Sequence, residues 1–155
     1  VHRFMMIGAC WSYSLLIYGN LLIGGESMAE FQRGLNFPHE GFVQGAIEKY
    51  FIEQGYCQIK EGHSDLVCVR EEIKWVVEAK GVTTDIGLDF RTGLGQLVQR
   101  MVEPETNYAI AVPQTPQFIK QCGQIPKWVR VSLNIHFLLI NEHGEVQTVS
   151  PHEDL

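Results

Sequence analysis

The chain has 155 residues, 45% of them hydrophobic and 19% charged, enough for one domain with its own core. That composition excludes a low-complexity or disordered chain, and no segment repeats. A formal net charge of −6 argues against a uniformly basic nucleic-acid binder, although residues 91–130 carry Arg91, Arg100, Lys120, Lys127 and Arg130 against only Glu103 and Glu105.

Residues 4–25 hold no charged side chain for 22 positions. As a helix they would span roughly 33 Å, at ~1.5 Å per residue, enough for a bilayer. Three readings stand open. The stretch is a membrane anchor with its amino end inside, since His2-Arg3 precede it and Glu26 follows. It is a signal peptide. Or it is an over-extension ahead of a cytosolic start at Met28. Residues 1–27 are therefore set apart as an apolar extension, 28–150 as the domain and 151–155 as a tail. Cys10, Cys57, Cys68 and Cys122 form no CxxC pair, so reduced thiols in the cytoplasm are expected. Cys57 and Cys68 read as small buried hydrophobes.

Pro38 stands where a helix begins, and Val43, Ala46, Ile47 and Tyr50 then form an apolar helical stripe. Gly55 is a natural stop. Residues 56–59 read as a short strand. In residues 63–81, HSDLVCVREEIKWVVEAKG, the β-favouring runs 66–69 and 75–77 flank charged residues, a hairpin signal lacking the glycine a tight turn prefers. If the hairpin folds about Glu71-Glu72, Asp65 falls opposite Glu78, and alternation puts Lys80 on the face of Glu78. Like charges facing each other destabilise a sheet, so a cation belongs between them: Lys80, or a divalent metal on hard oxygen ligands.

Residues 81–87 form a loop holding Asp85, and 88–102 read as a helix with Leu94, Leu97, Val98 and Met101 at helical spacing. Gln96 and Arg100, four apart, are neighbours on another face. Residues 107–112 suit a buried strand ended by Pro113 and Pro116. Residues 117–130 read as a helix interrupted near Gly123 and Pro126, 134–140 as a buried strand, and 146–149 as an edge strand. His63, two residues before Asp65, can touch the site, whereas His136 reads as a satisfied core histidine. No GxSxG, HExxH, phosphate-binding glycine loop or dinucleotide fingerprint occurs, so no small-molecule cofactor is expected.

Asp65, twelve residues, then Glu78-Ala79-Lys80 resembles the D…ExK core of the PD-(D/E)XK nuclease superfamily. Ser64 stands where that motif often has proline. The GLGQL segment around Gln96 resembles the helix of restriction-like and element-excision nucleases. The resemblance covers roughly residues 42–149. It implies an α/β fold with the restriction-endonuclease-like core: a central mixed four- to five-stranded sheet flanked by helices, in the order α-β-β-β-α-β-α-β.

The resemblance also implies a Mg²⁺-dependent DNA endonuclease of the restriction, repair or element-excision kind, with Mn²⁺ as a substitute. Asp65, Glu78 and the Ala79 backbone carbonyl would be metal ligands. Glu48, on the first helix, would bind through a water or hold a second ion. Lys80 would orient the attacking water, and Gln96 would meet the site's edge or the substrate backbone. Arg100, Arg91, Lys120 and Lys127 would face phosphates. A homodimer follows by analogy, and a membrane enters only if residues 4–25 are an anchor. The alternatives are a catalytically inactive nucleic-acid-binding or interaction module on the same fold, and an unrelated α/β domain with a chance ExK.

Overall fold

The structure is a computed structural model that describes residues 34–155. The apolar stretch at 4–25 and the proposed start at Met28 lie outside the described residues. Among those described, no helix is long and apolar enough to cross a membrane.

Helix α1, Glu40–Glu53, buries Val43, Ala46, Ile47 and Phe51. This is the expected stripe, with Phe51 rather than the half-buried Tyr50 as its last member. Gly55 follows at φ +80, a conformation open to glycine at little cost. Strands β1 (Cys57–Ile59), β2 (Leu66–Arg70) and β3 (Ile73–Ala79) form an antiparallel meander. The hairpin register runs from Leu66↔Val77 to Arg70↔Ile73, centred on Glu71-Glu72 as expected. Glu71 supplies the turn's positive φ, 56°, in place of glycine.

Helix α2, Ile86–Gln99, starts two residues earlier than its periodicity suggests. Asp85 caps it by accepting from the Leu88 N–H at 2.9 Å. Strand β4 is Asn107–Pro113. Pro116 opens helix α3 (Pro116–Gly123), capped by Thr115. Pro126 separates it from helix α4 (Lys127–Leu133), so the expected interrupted helix is two short ones. Strands β5 (Ile135–Ile140) and β6 (Val146–Val149) complete the sheet.

The sheet has six strands in sequence order, not four or five, because the short strands β1 and β6 both pair at its edges. Pairing is parallel for β3–β4 and β4–β5 and antiparallel elsewhere, so the sheet is mixed, as expected. Alternation along the strands divides the core in two. Val67, Val76, Ile110, Val112, Phe137 and Leu139 pack with Phe90, Leu97 and Phe118 of α2 and α3. Leu66, Val77, Ala79, Ala111, Leu138 and Ile140 pack with Val43, Ile47 and Phe51 of α1. Cys68 and Cys122 are core residues, and burial pushes both thiols up to about 12.

His136 is half-buried on β5 and only partly satisfied, where the sequence suggests a satisfied core histidine: its Nδ1 is buried without a hydrogen-bond partner. Its Nε2 meets Asn134 Oδ1 at 3.2 Å and its ring lies 4.7 Å from that of Trp75. Burial lowers its pKa from 6.5 to about 4. The unfolded chain therefore takes up a proton between about pH 6.5 and pH 4 that the folded protein refuses. Stability is expected to fall as pH drops through that window, by up to about 3 kcal/mol. Urea midpoints at pH 7 and pH 4.5 should show a smaller acid penalty in His136→Phe. An equal penalty in both proteins would remove His136 as the cause.

Candidate active site

The site forms where β3 ends and three other elements reach it. Val76 belongs to the α2-side core and Val77 to the α1-side core, so alternation carries Glu78 and then Lys80 to the α2 side. Val67 faces α2 as well, and Asp65 shares its face two residues earlier. The hairpin register thus brings the ends of two strands together. Asp65 Oδ2 accepts a hydrogen bond from the Ala79 N–H at 2.8 Å, which fixes the carboxylate against the end of β3.

Lys80 stands at the centre. Its Nζ lies 3.2 Å from Glu78 Oε1, 3.9 Å from Asp65 Oδ2 and 3.9 Å from Glu40 Oε2. Its stem rests against α2 at Gly93, where a Cβ would fall 2.7 Å from Lys80 Cε and 2.8 Å from Cγ. Glycine at this position leaves the channel in which the lysine lies. Glu78 is only 2% exposed, and its other oxygen, Oε2, pairs with the Arg100 guanidinium. Arg100 also donates from Nη2 to the His63 carbonyl at 2.7 Å. A carboxylate so deeply buried requires counter-charge, and here two cations provide it.

Asp65, Glu78 and Lys80 converge as the sequence suggests, and Arg100 joins them. Gln96 lies between Gly93 and Arg100 on α2, and its Oε1 is buried with no hydrogen-bond partner. Its spacing of three from Gly93 and four from Arg100 puts it on the helix face those residues share. His63 reaches the site through its backbone carbonyl.

On the first helix, Glu40 rather than Glu48 approaches Lys80. Glu48 accepts from Gln44 Nε2 at 3.2 Å and lies two turns farther along α1, about 12 Å at ~1.5 Å per residue. The reason is a backbone contact. A Cβ on Gly81 would fall 2.0 Å from Glu40 N and 2.5 Å from His39 C, and Val82 N–H donates to the Pro38 carbonyl at 2.9 Å. The segment after β3 is therefore locked against the first turn of α1, which delivers Glu40. Gly81→Ala must prise the two backbones apart. It is expected to cost about 1–3 kcal/mol by overpacking and to loosen the Glu40–Lys80 pair. An unchanged thermal midpoint would refute this packing.

The remaining basic residues stand apart from this cluster. Arg91 and Lys120 are exposed. Lys127 pairs with Asp154 at 3.0 Å. Arg130 is buried, over the Phe137 ring and bonded to the Ser150 and Glu153 carbonyls, so it supports the core. A cavity of about 250 Å³ lined by Met101, Glu103, Tyr108 and Leu133 contains none of the site residues.

No group of three or more His, Cys, Asp or Glu side chains is arranged to hold a metal among the described residues. The three carboxylates converge on the Lys80 ammonium instead. The donor chemistry still suits a hard cation: two carboxylates and the Ala79 carbonyl offer only oxygens, and magnesium keeps several waters.

No protein-family model matches the chain, and no curated protein matches its sequence. Among solved structures, the fold is similar to an XisH family protein from Nostoc punctiforme, with 20% identity and a TM-score of 0.48 over 69% of this chain and 98% of that one. It is similar too to an fdxN element excision controlling factor protein from Anabaena variabilis, with 20% identity and a TM-score of 0.49 over 69% of this chain and 97% of that one.

Proposed function

We propose that the protein is a Mg²⁺-dependent DNA endonuclease of the restriction, repair or element-excision kind. The observation that carries the reading is the convergence of Asp65, Glu78 and Lys80 at the end of β3, with Glu40 completing the ring. Phosphodiester hydrolysis needs a nucleophile at neutral pH and counter-charge for the pentavalent phosphate. A divalent metal, with Mn²⁺ as a substitute for Mg²⁺, supplies both when bound.

Asp65, Glu78 and the Ala79 carbonyl would hold the ion, and Glu40 would bind through a water, the role the sequence suggests for Glu48. Lys80 orients the attacking water and faces the scissile phosphate. Gln96 Oε1 accepts from a water or a substrate donor. Arg100 meets a neighbouring phosphate, and Arg91 and Lys120, exposed and apart from the cluster, would serve only as outlying cations for the backbone.

One observation favours the second reading, a non-catalytic nucleic-acid-binding module: both Glu78 oxygens are already engaged by Lys80 and Arg100. A cleavage assay separates the two. Supercoiled, linear, branched and single-stranded DNA are incubated with Mg²⁺ or Mn²⁺, and with EDTA as control. Metal-dependent nicking of at least one form is expected. Binding without cleavage would favour the module. Cleavage undiminished in both Asp65→Ala and Lys80→Ala would sink the assignment.

A further inference from the structure

We propose that Arg100 holds the place of the divalent cation at Glu78 in the metal-free protein and passes to a backbone phosphate when nucleic acid binds, so that metal and nucleic acid bind cooperatively. The inference rests on the nuclease reading above and adds a coupling to it.

The Glu78 side chain is 3% exposed, and without compensation its charge would be costly. Lys80 neutralises Oε1 and Arg100 neutralises Oε2. The two cations are held very differently. Lys80 is gripped by Glu78, Asp65 and Glu40 and pressed into the space left by Gly93. Arg100 is the first residue past the end of α2, and its side chain is 22% exposed. Its one other side-chain bond goes to the His63 carbonyl, two residues before Asp65. It can swing outward without disturbing a strand.

A metal ion on Glu78 Oε2 would meet the guanidinium at contact distance. Like charges a few ångströms apart repel strongly even in a partly screened site. Arg100 and the metal therefore exclude each other at that oxygen. A guanidinium fork pairs as well with a phosphate as with a carboxylate. Phosphate drawing Arg100 away would open Glu78 to the metal, and metal on Glu78 would release Arg100 to the phosphate. Linkage makes the two effects equal.

The test reads metal binding directly, with the intact protein and Mn²⁺ alone, from the electron paramagnetic resonance signal of the free ion. Without nucleic acid, Arg100→Gln and Arg100→Met should each bind Mn²⁺ about tenfold more tightly than the unmodified protein. Arg100→Lys, which keeps the charge but not the fork, should fall between them. In fluorescence anisotropy, Mn²⁺ should tighten duplex binding about tenfold for the unmodified protein and leave Arg100→Gln unchanged. Equal Mn²⁺ affinity in the unmodified protein and all three variants would overturn the coupling while leaving the metal reading in place. If no protein binds Mn²⁺, or if Glu78→Gln binds it undiminished, the metal reading falls and the coupling with it.

Discussion

Lys80→Ala is expected to lower metal-dependent cleavage by about 10²–10⁴-fold while leaving the fold intact. The size of the effect follows from placement. The Lys80 side chain is 13% exposed, its ammonium points into three carboxylates, and its stem has a channel cut for it by Gly93. Lys80→Arg should not restore activity, because a guanidinium is wider than an ammonium and the channel is closed by the α2 backbone. Removing the lysine also leaves Glu40, Asp65 and Glu78 with only Arg100 as counter-charge. Metal should then bind as well or better, even though hydrolysis fails. Cleavage within tenfold of the unmodified protein, with metal affinity unchanged, would show that the ammonium is a structural counter-ion and no more.

Glu78→Ala is expected to cost about 3–5 kcal/mol of stability, in addition to abolishing cleavage, because it strands two cations beside a sealed position. For a domain of this size that is a fall in thermal midpoint of roughly 10–20 °C. Asp65→Ala should cost far less, since the Asp65 side chain is 26% exposed and gives up one hydrogen bond to the Ala79 N–H. The pair Glu78→Met and Arg100→Met isolates the cause. Removing the guanidinium along with the carboxylate should recover much of the loss, so the double variant should be more stable than Glu78→Met alone. If the two losses simply add, the ion pair is not what makes Glu78 structurally necessary.

The hairpin and its register could be read from the chain because each depends on local rules. Alternation fixes which residues share a face, and a turn centred on Glu71-Glu72 fixes which residues are opposite. That was enough to join Asp65, Glu78 and Lys80. Gln96 and Arg100 were visible as helical neighbours, yet periodicity alone cannot say that Arg100 lands on Glu78 rather than on substrate. Glu40 was missed for a similar reason. Its place depends on the Gly81 backbone lying against His39 and Glu40, a contact between segments about forty residues apart that no periodicity encodes. Gly81 carries no signal of this contact in the sequence, since a glycine after a strand reads equally well as a loop. The pairing of both edge strands likewise turns on tertiary packing, whereas the break near Pro126 is legible locally, because proline cannot continue a helix.

Residues 151–155 looked like a tail, but the core reaches into them. Arg130 sits under that segment with its guanidinium bonded to the Ser150 and Glu153 carbonyls, while the Glu153 carboxylate accepts from the Ser150 N–H at 2.6 Å. A boundary drawn after β6 would leave a positive charge sealed against Phe137 with nothing to answer it. Any shortened version for crystallisation or display should therefore keep the chain through Glu153.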